Sequence, residues 1–238
     1  MPARHPYRVN LALPLGLCLA AAAALPLPAL ADGLWLSGAE ASRGASYLYV
    51  GRIASLEHEQ LQNGWATRLW LDRASYTYWA SGQRYRGRSV GLEAGVGYLF
   101  GQAPFTGSVF LNLMARDTHL SPSDPGSAVS GFHLRPKVSS DLNWQFSPEW
   151  GANAGMSYTP LGNAWWARAR LLHGSQGGLQ WGLEHARHGD DSYRARQTGV
   201  VLTGVPAGPA RWAFKAGVRQ MRGESSSPYV GVDLSWTF

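Results

Sequence analysis

The chain has 238 residues and a formal net charge of +6, part of which comes from Arg4 and Arg8 near its start. The remaining positive charge is spread thinly, with no Lys/Arg run or basic-aromatic cluster of the kind that grips nucleic acid. Its single cysteine, Cys18, lies in the opening segment, so the residues beyond it form no disulfide and no thiolate metal site.

In chain order the first element is a leader. Arg4, His5 and Arg8 precede the apolar run "LALPLGLCLAAAAALPLPAL" and the small-residue site "ALA" at 29–31. A basic segment, an apolar segment and an A-x-A-like site together read as a cleavable secretory signal peptide over 1–31. Pro14, Pro26 and Pro28 argue against a membrane anchor, and Leu17 is larger than the residue a lipoprotein site takes before its cysteine. Residues 32–238 are then the exported domain.

No later apolar run approaches the ~20 residues of a membrane helix. Instead, alternation and turn residues mark twelve strands at 34–41, 46–55, 65–78, 87–100, 106–116, 129–146, 150–160, 164–173, 178–187, 193–204, 211–221 and 228–238. In 89–100, Val90, Leu92, Ala94, Val96, Tyr98 and Phe100 share a face, opposite Ser89, Gly91, Glu93, Gly95, Gly97 and Leu99. The final segment "YVGVDLSWTF" alternates in the same way and closes on Phe238. Such a period of two is the mark of a strand with unlike faces. The connections, among them "SGQRYRG", "SPSDPGSA", "SPE" and "HGDDS", carry turn chemistry.

A soluble sandwich and a transmembrane barrel both use many alternating strands. Three features favour the barrel. Several segments exceed the ~9–11 residues a tilted strand needs to cross a bilayer. Aromatics close the apolar faces (Trp65, Tyr98, Phe100, Trp144, Phe146, Trp150, Trp165, Trp181, Trp212, Tyr229, Trp236 and Phe238), as interfacial girdles require. The polar faces also carry both signs of charge, which a sandwich core could not hold but a wet lumen can. The expected fold is therefore all-β, an up-and-down antiparallel transmembrane barrel of about twelve strands, with ten or fourteen as alternatives.

With both ends periplasmic, the polar connection 117–128 faces outward and 147–149 inward; 56–64 is long for a periplasmic turn. A terminal aromatic after an alternating strand resembles the signal read by the barrel-assembly machinery. That makes the outer membrane of a Gram-negative cell the destination.

Alternation turns Arg68, Asp72, Glu93, Arg116, Arg135, Lys137, Asp141, Arg168, Arg170, Glu184, Lys215, Arg219 and Asp233 inward. These either line a path for a polar or anionic solute or cross-pair and plug a narrow barrel. Pro136 removes a ladder donor, so a bulge or an end of local pairing is expected there. The histidines beyond the leader are His58, His119, His133, His173, His185 and His188. His119, with Asp117, Ser121 and Asp124 near it, has the residue types of a hydrolase without a nucleophile motif. His185 and His188 are three apart and point to opposite faces of a strand, so "HARHGDD" reads as a turn rather than a metal site. No cofactor is expected.

The segments "YLYVGRIASL", "GWATRLWLDRASYTY", "GLEAGVGYLFG", "RDTHLSPSDPGSAVSG", "SPEW", "SYTPLGNAWWARARLLH", "YRARQTGVVLTGV" and "YVGVDLSWTF" occur in that order. Together they resemble the BcsS family, outer-membrane proteins encoded with bacterial cellulose synthase. "DTHLSPSDPGS" at 117–127 is the most specific piece, and Arg135-Pro136 departs from the smoother strand of the family. The resemblance implies an accessory barrel in cellulose production or secretion and brings no catalytic residue set with it, so an enzyme is not expected. Its expected partners are outer-membrane lipid, cellulose and the secretion machinery, with the barrel itself a monomer. Extracellular residues suited to touching polysaccharide or a partner are Trp79, Tyr85, Asp117, Asp124 and Arg194, since sugars stack on aromatics and hydrogen-bond to charged groups. A channel for acidic oligosaccharides using Arg168 and Arg170, or a lipid-modifying enzyme, are the alternatives.

Overall fold

The computed structural model describes residues 33–56, 61, 63–80, 82–124, 126–160, 162–191, 193–222 and 224–237. The leader with Cys18, as well as His58 and Phe238, lies outside the described residues.

Twelve strands alternate with short connections: β1 (Gly33–Ser42), β2 (Ala45–Ser55), β3 (Gly64–Ala80), β4 (Gln83–Gln102), β5 (Phe105–Ser121) and β6 (Gly131–Gln145), then β7 (Trp150–Thr159), β8 (Ala164–His173), β9 (Gln180–Gly189), β10 (Arg194–Ala207), β11 (Ala210–Met221) and β12 (Ser227–Thr237). Each is antiparallel to its chain neighbours, and β12 pairs back onto β1 from Leu34↔Thr237 to Ser42↔Tyr229. The result is a closed transmembrane barrel of twelve strands. Closure follows from lipid chemistry: an unpaired strand edge would leave N–H and C=O groups without partners in hydrocarbon.

The outward face carries Leu69, Leu71, Leu92, Val96, Leu111, Leu113, Leu134, Leu183, Val200 and Val218, all exposed apolar side chains. In a soluble protein such a surface would aggregate; here it is the lipid-facing band. Aromatics gather at the end of the wall where β1 begins and β12 ends. Trp65 packs edge-on to Tyr98 with ring centres 5.7 Å apart, and Phe105 stacks on Trp144 at 5.4 Å. His173 lies between Trp150 and Trp181 in the same belt. Tyr229 is a correction: it points inward, is 1 % exposed, and places its hydroxyl 3.3 Å from Glu184 Oε1.

Strand heights are unequal. β3, β4 and β5 have 17, 20 and 17 residues, whereas β7, β8 and β9 have 10 each, the number that just spans a bilayer. The excess stands at the opposite end of the wall from Gly33 and Thr237. Thr77–Ala80 of β3 pair only with β4, and Gly131–Lys137 of β6 pair only with β5. The upper parts of β3–β6 thus form a palisade above the rest of the rim. The pairing also resolves Pro136: the β6–β7 ladder stops at Val138↔Tyr158, and Pro136 faces Leu113 of β5 without a shift of register.

Two connections are shorter than expected. "SGQRYRG" is mostly strand, because β3 and β4 run to Ala80 and Gln83, and 117–121 is the end of β5, leaving 122–130 as the outward connection. The one interruption of β10 lies between Leu202 and Val205, where Gly204 adopts φ +78. A Cβ there would sit 1.9 Å from the carbonyl oxygen of Gly178, so both strain and space demand glycine. Gly204→Ala should lower the unfolding free energy in lipid vesicles by about 1–3 kcal/mol. Urea titration followed by heat-modifiable electrophoretic migration would measure this, and an unchanged midpoint would refute it.

Candidate functional site: the lumen and its outward mouth

The inner face of β4 reads Gly87, Ser89, Gly91, Glu93, Gly95 and Gly97. Small residues there leave room for side chains of β3 and β5 to meet above the strand. Asp72 and Arg116 flank Gly91 from either side and pair over it, with Arg116 Nη2 2.7 Å from Oδ1 and 2.8 Å from Oδ2. A Cβ on Gly91 would lie 2.8 Å from both groups. Below this pair, Glu93, 2 % exposed, holds Lys137 Nζ at 2.7 Å and Arg68 Nε at 3.3 Å. The Arg68 guanidinium also lies over Trp70, 4.6 Å from its ring centre. Asn112 and Ser139 complete this network.

A second network occupies β8–β12 and β1–β2. Arg170 donates to Glu184 at 2.6 Å and lies 3.7 Å from Asp233, while Lys215 binds Glu40 at 2.9 Å and Asp233 at 3.9 Å. Tyr49 donates to Asp233, and Gln197 Nε2 hydrogen-bonds Glu40 Oε1 at 2.5 Å. Arg168 is held more loosely, 4.0 Å from Asp141, with a hydrogen bond to Asn153 and its guanidinium over Trp166. Arg219 meets only the Ser42 hydroxyl and Arg135 only the Ala128 carbonyl, so neither has a carboxylate partner among the described residues. Every lumen residue named from the sequence is thus on the inner wall, and most are neutralised by a neighbour. Missed were Glu40, Gln197, Tyr47, Tyr49 and Trp70.

Aromatics line one side of this interior. Tyr49 stacks on Trp70 at 4.6 Å, and Trp70 lies on its cross-strand partner Gly51. Higher up, Tyr76 leads to Tyr78, which stacks on Tyr85 at 5.2 Å. Tyr78 donates to Asp124 Oδ2 at 2.9 Å, Arg135 donates to the Ala128 carbonyl, and His133 contacts the Ser130 carbonyl. Three inward side chains therefore draw connection 122–130 against the inner face of the palisade. A cavity of about 1780 Å³ runs past these groups, with lining residues from both rims, Leu36 and Thr203 at one end and Tyr78 and Asp124 at the other.

The expected rim residues separate. Tyr85 and Asp124 meet at the mouth through Tyr78. Trp79, Asp117 and Arg194 alternate outward instead: Asp117 lies within β5, not in a loop, and all three are exposed on the outer wall. Asp117, His119 and Ser121 share that outward face but make no hydrogen bond with one another. His185 faces outward onto Thr198, whereas His188 faces inward onto Tyr193. Tyr193 lies in the connection beyond β9, where burial and then Asp190 push its phenol up to about 12, so it remains protonated at neutral pH. Among the described residues no three His, Cys, Asp or Glu side chains converge as a metal site.

The family model for cellulose biosynthesis protein BcsS matches residues 34–238, nearly the whole of this barrel. The chain belongs to the BcsS family. No curated protein matches it. Among solved structures, the KdgM porin is similar with a TM-score of 0.53 and 11% identity, over 86% of this chain and 99% of that one. The transport unit of the Escherichia coli autotransporter AIDA-I matches with a TM-score of 0.53 and 8% identity, over 90% and 92%. The β domain of the Bordetella autotransporter BrkA gives 0.51 and 13%, over 88% and 100%. At these identities the shared property is the fold, that of outer-membrane barrels.

The Glu93 network supplies a test of how the lumen is filled. Glu93→Gln leaves Arg68 and Lys137 facing each other and should cost roughly 3–5 kcal/mol of stability. Replacing all three together (Glu93→Leu, Arg68→Met, Lys137→Met) should recover most of it. Equal destabilisation by both variants in vesicle unfolding would show that volume rather than charge pairing matters.

Proposed function

We propose that this barrel is an accessory outer-membrane component of bacterial cellulose biosynthesis that assists export of the polymer or its anchoring at the cell surface. Cleavage of the 1–31 leader delivers it to the periplasm, and the barrel-assembly machinery inserts it with the palisade outside the cell. The observation that carries the reading is the palisade's inner face: Tyr76, Tyr78 and Tyr85 rise to the mouth beside Asp124. The C–H faces of pyranose rings pack on aromatic rings, while phenol and carboxylate oxygens take the sugar hydroxyls. The low rim over β7–β9 leaves this face open from one side, as a chain lying across the mouth requires.

A solute channel is the second reading, favoured by the cavity lined from both rims and by Arg135 and Arg219, which lack carboxylate partners. The KdgM porin has been solved with oligogalacturonate, an acidic oligosaccharide. Arg170 fits such a ladder poorly because Glu184 and Asp233 already neutralise it.

The deciding experiment is a clean deletion strain, with surface-attached and released cellulose measured separately after complementation. Wild-type protein should restore the attached fraction, and Tyr85→Ala with Asp124→Ala should restore it severalfold less well at equal barrel levels. Unchanged cellulose in the deletion strain would sink the pathway role. In planar bilayers, discrete anion-preferring conductance weakened by Arg135→Ala with Arg219→Ala would favour the channel instead.

A further inference from the structure

The outer wall of β9–β11 is ordered in rows. Nearest the aromatic belt, Trp181, Leu202 and Phe214 align, followed by Leu183, Val200 and Ala216. His185, Thr198 and Val218 come next. At the outward end stand Arg187, Arg196 and Gln220. Arg187 and Arg196 are direct cross-strand partners, and like charges so placed repel. Arg196 is held in position rather than neutralised: Nε donates to Gln220 Oε1 at 2.9 Å, and Nη2 bonds the same oxygen. Arg222 joins them because its backbone N–H donates to the Arg194 carbonyl at 3.0 Å. Arg187, Arg194, Arg196 and Arg222, with Trp165 and Gln220, line a cavity of about 340 Å³ on the outer wall. Among the described residues no carboxylate forms an ion pair with any of the four.

Four cations beside hydrocarbon, unpaired by protein, are costly in a low-dielectric setting and call for an anion. The cavity opens on the outer face, with Val218 beside His185 and Thr198 in the row below it and exposed Leu183 and Val200 in the row after that. A ligand bound there has its charge at the arginines and must lay the remainder of its length against an apolar wall. We infer that this cavity holds the phosphate-bearing headgroup of an outer-leaflet lipid, with acyl chains lying down the apolar rows. The guanidinium forks suit phosphate oxygens bidentately, and Trp165 supplies the amphipathic ring typical of the headgroup level.

The full barrel, purified in zwitterionic detergent, would be titrated with bis-phosphorylated lipid A, dephosphorylated lipid A or inorganic phosphate, and adducts counted by native mass spectrometry. Wild-type protein should retain the bis-phosphorylated lipid at least tenfold more tightly than the dephosphorylated form. Arg187→Gln with Arg196→Gln should remove that preference, while the heat-modifiable migration of the folded barrel is kept, since a repulsive pair has been relieved. Arg196→Lys retains the charge but loses the fork, and should bind about threefold more weakly. Equal retention by wild type and the double variant would overturn the assignment. So would displacement of the lipid by an equimolar amount of inorganic phosphate, which would mark a site for free anions. If the double variant failed to fold, unaltered binding by Arg196→Lys would overturn it alone.

Discussion

The structure depends on one constraint: no backbone N–H or C=O may be left unpaired in hydrocarbon. A helix meets this within a single segment, and a sheet meets it only by closing on itself. The pairing of β12 with β1, Leu34↔Thr237 through Ser42↔Tyr229, is therefore what allows all the other strands to exist in a bilayer. Closure in turn divides every strand into a lipid face and a lumen face. The alternation of Val230, Val232 and Leu234 with Gly231, Asp233 and Ser235 is the chemical imprint of that division.

Twelve strands enclose too small a space for arginine and glutamate side chains to be indifferent to one another. The glycines facing inward along β4 make the difference between collision and pairing. Asp72 and Arg116 reach each other because Gly91 between them has no side chain, and Trp70 lies flat on the wall because Gly51 has none. Narrowness and mutual neutralisation are thus linked. A lumen with bulky residues at these positions would either widen or lose its ion pairs.

The strands were legible in the sequence because the two faces differ so strongly in polarity. All twelve exist near the expected boundaries. Legibility failed where that contrast fades. β1 has Leu34 and Leu36 on the same inward face as Glu40, so alternation there did not single out Glu40 as a lumen acid. At the top of β5 the outward residues Asp117, His119 and Ser121 are polar while Thr118 and Leu120 behind them are buried, so the contrast that marks the lower strand is lost and 117–121 resembles a loop although it continues the ladder. Tyr229 misled in another way, since an aromatic near a strand end suits either a girdle or a buried hydrogen bond to Glu184. Which residues face inward is a matter of parity. Which of them pair depends on register between strands far apart in sequence, such as Glu40 with Lys215 or Arg170 with Asp233, and parity carries no such information.

The distribution of charge also indicates where the molecule meets other molecules. In the middle of the lumen, Glu40, Glu93, Glu184 and Asp233 take up Arg68, Lys137, Arg170 and Lys215, so little net field is left there to attract a solute. Uncompensated groups occur at the mouth (Arg135 and Arg219) and on the outer wall (Arg187, Arg194, Arg196 and Arg222). A protein whose task was to pass ions would gain from the reverse arrangement, with unpaired charge at the constriction. The strand heights point the same way. A pore needs only the ~9–11 residues that cross the bilayer, yet β4 has 20. Most of that excess carries an aromatic inner face and a tethered connection, the two features on which the proposed surface role rests.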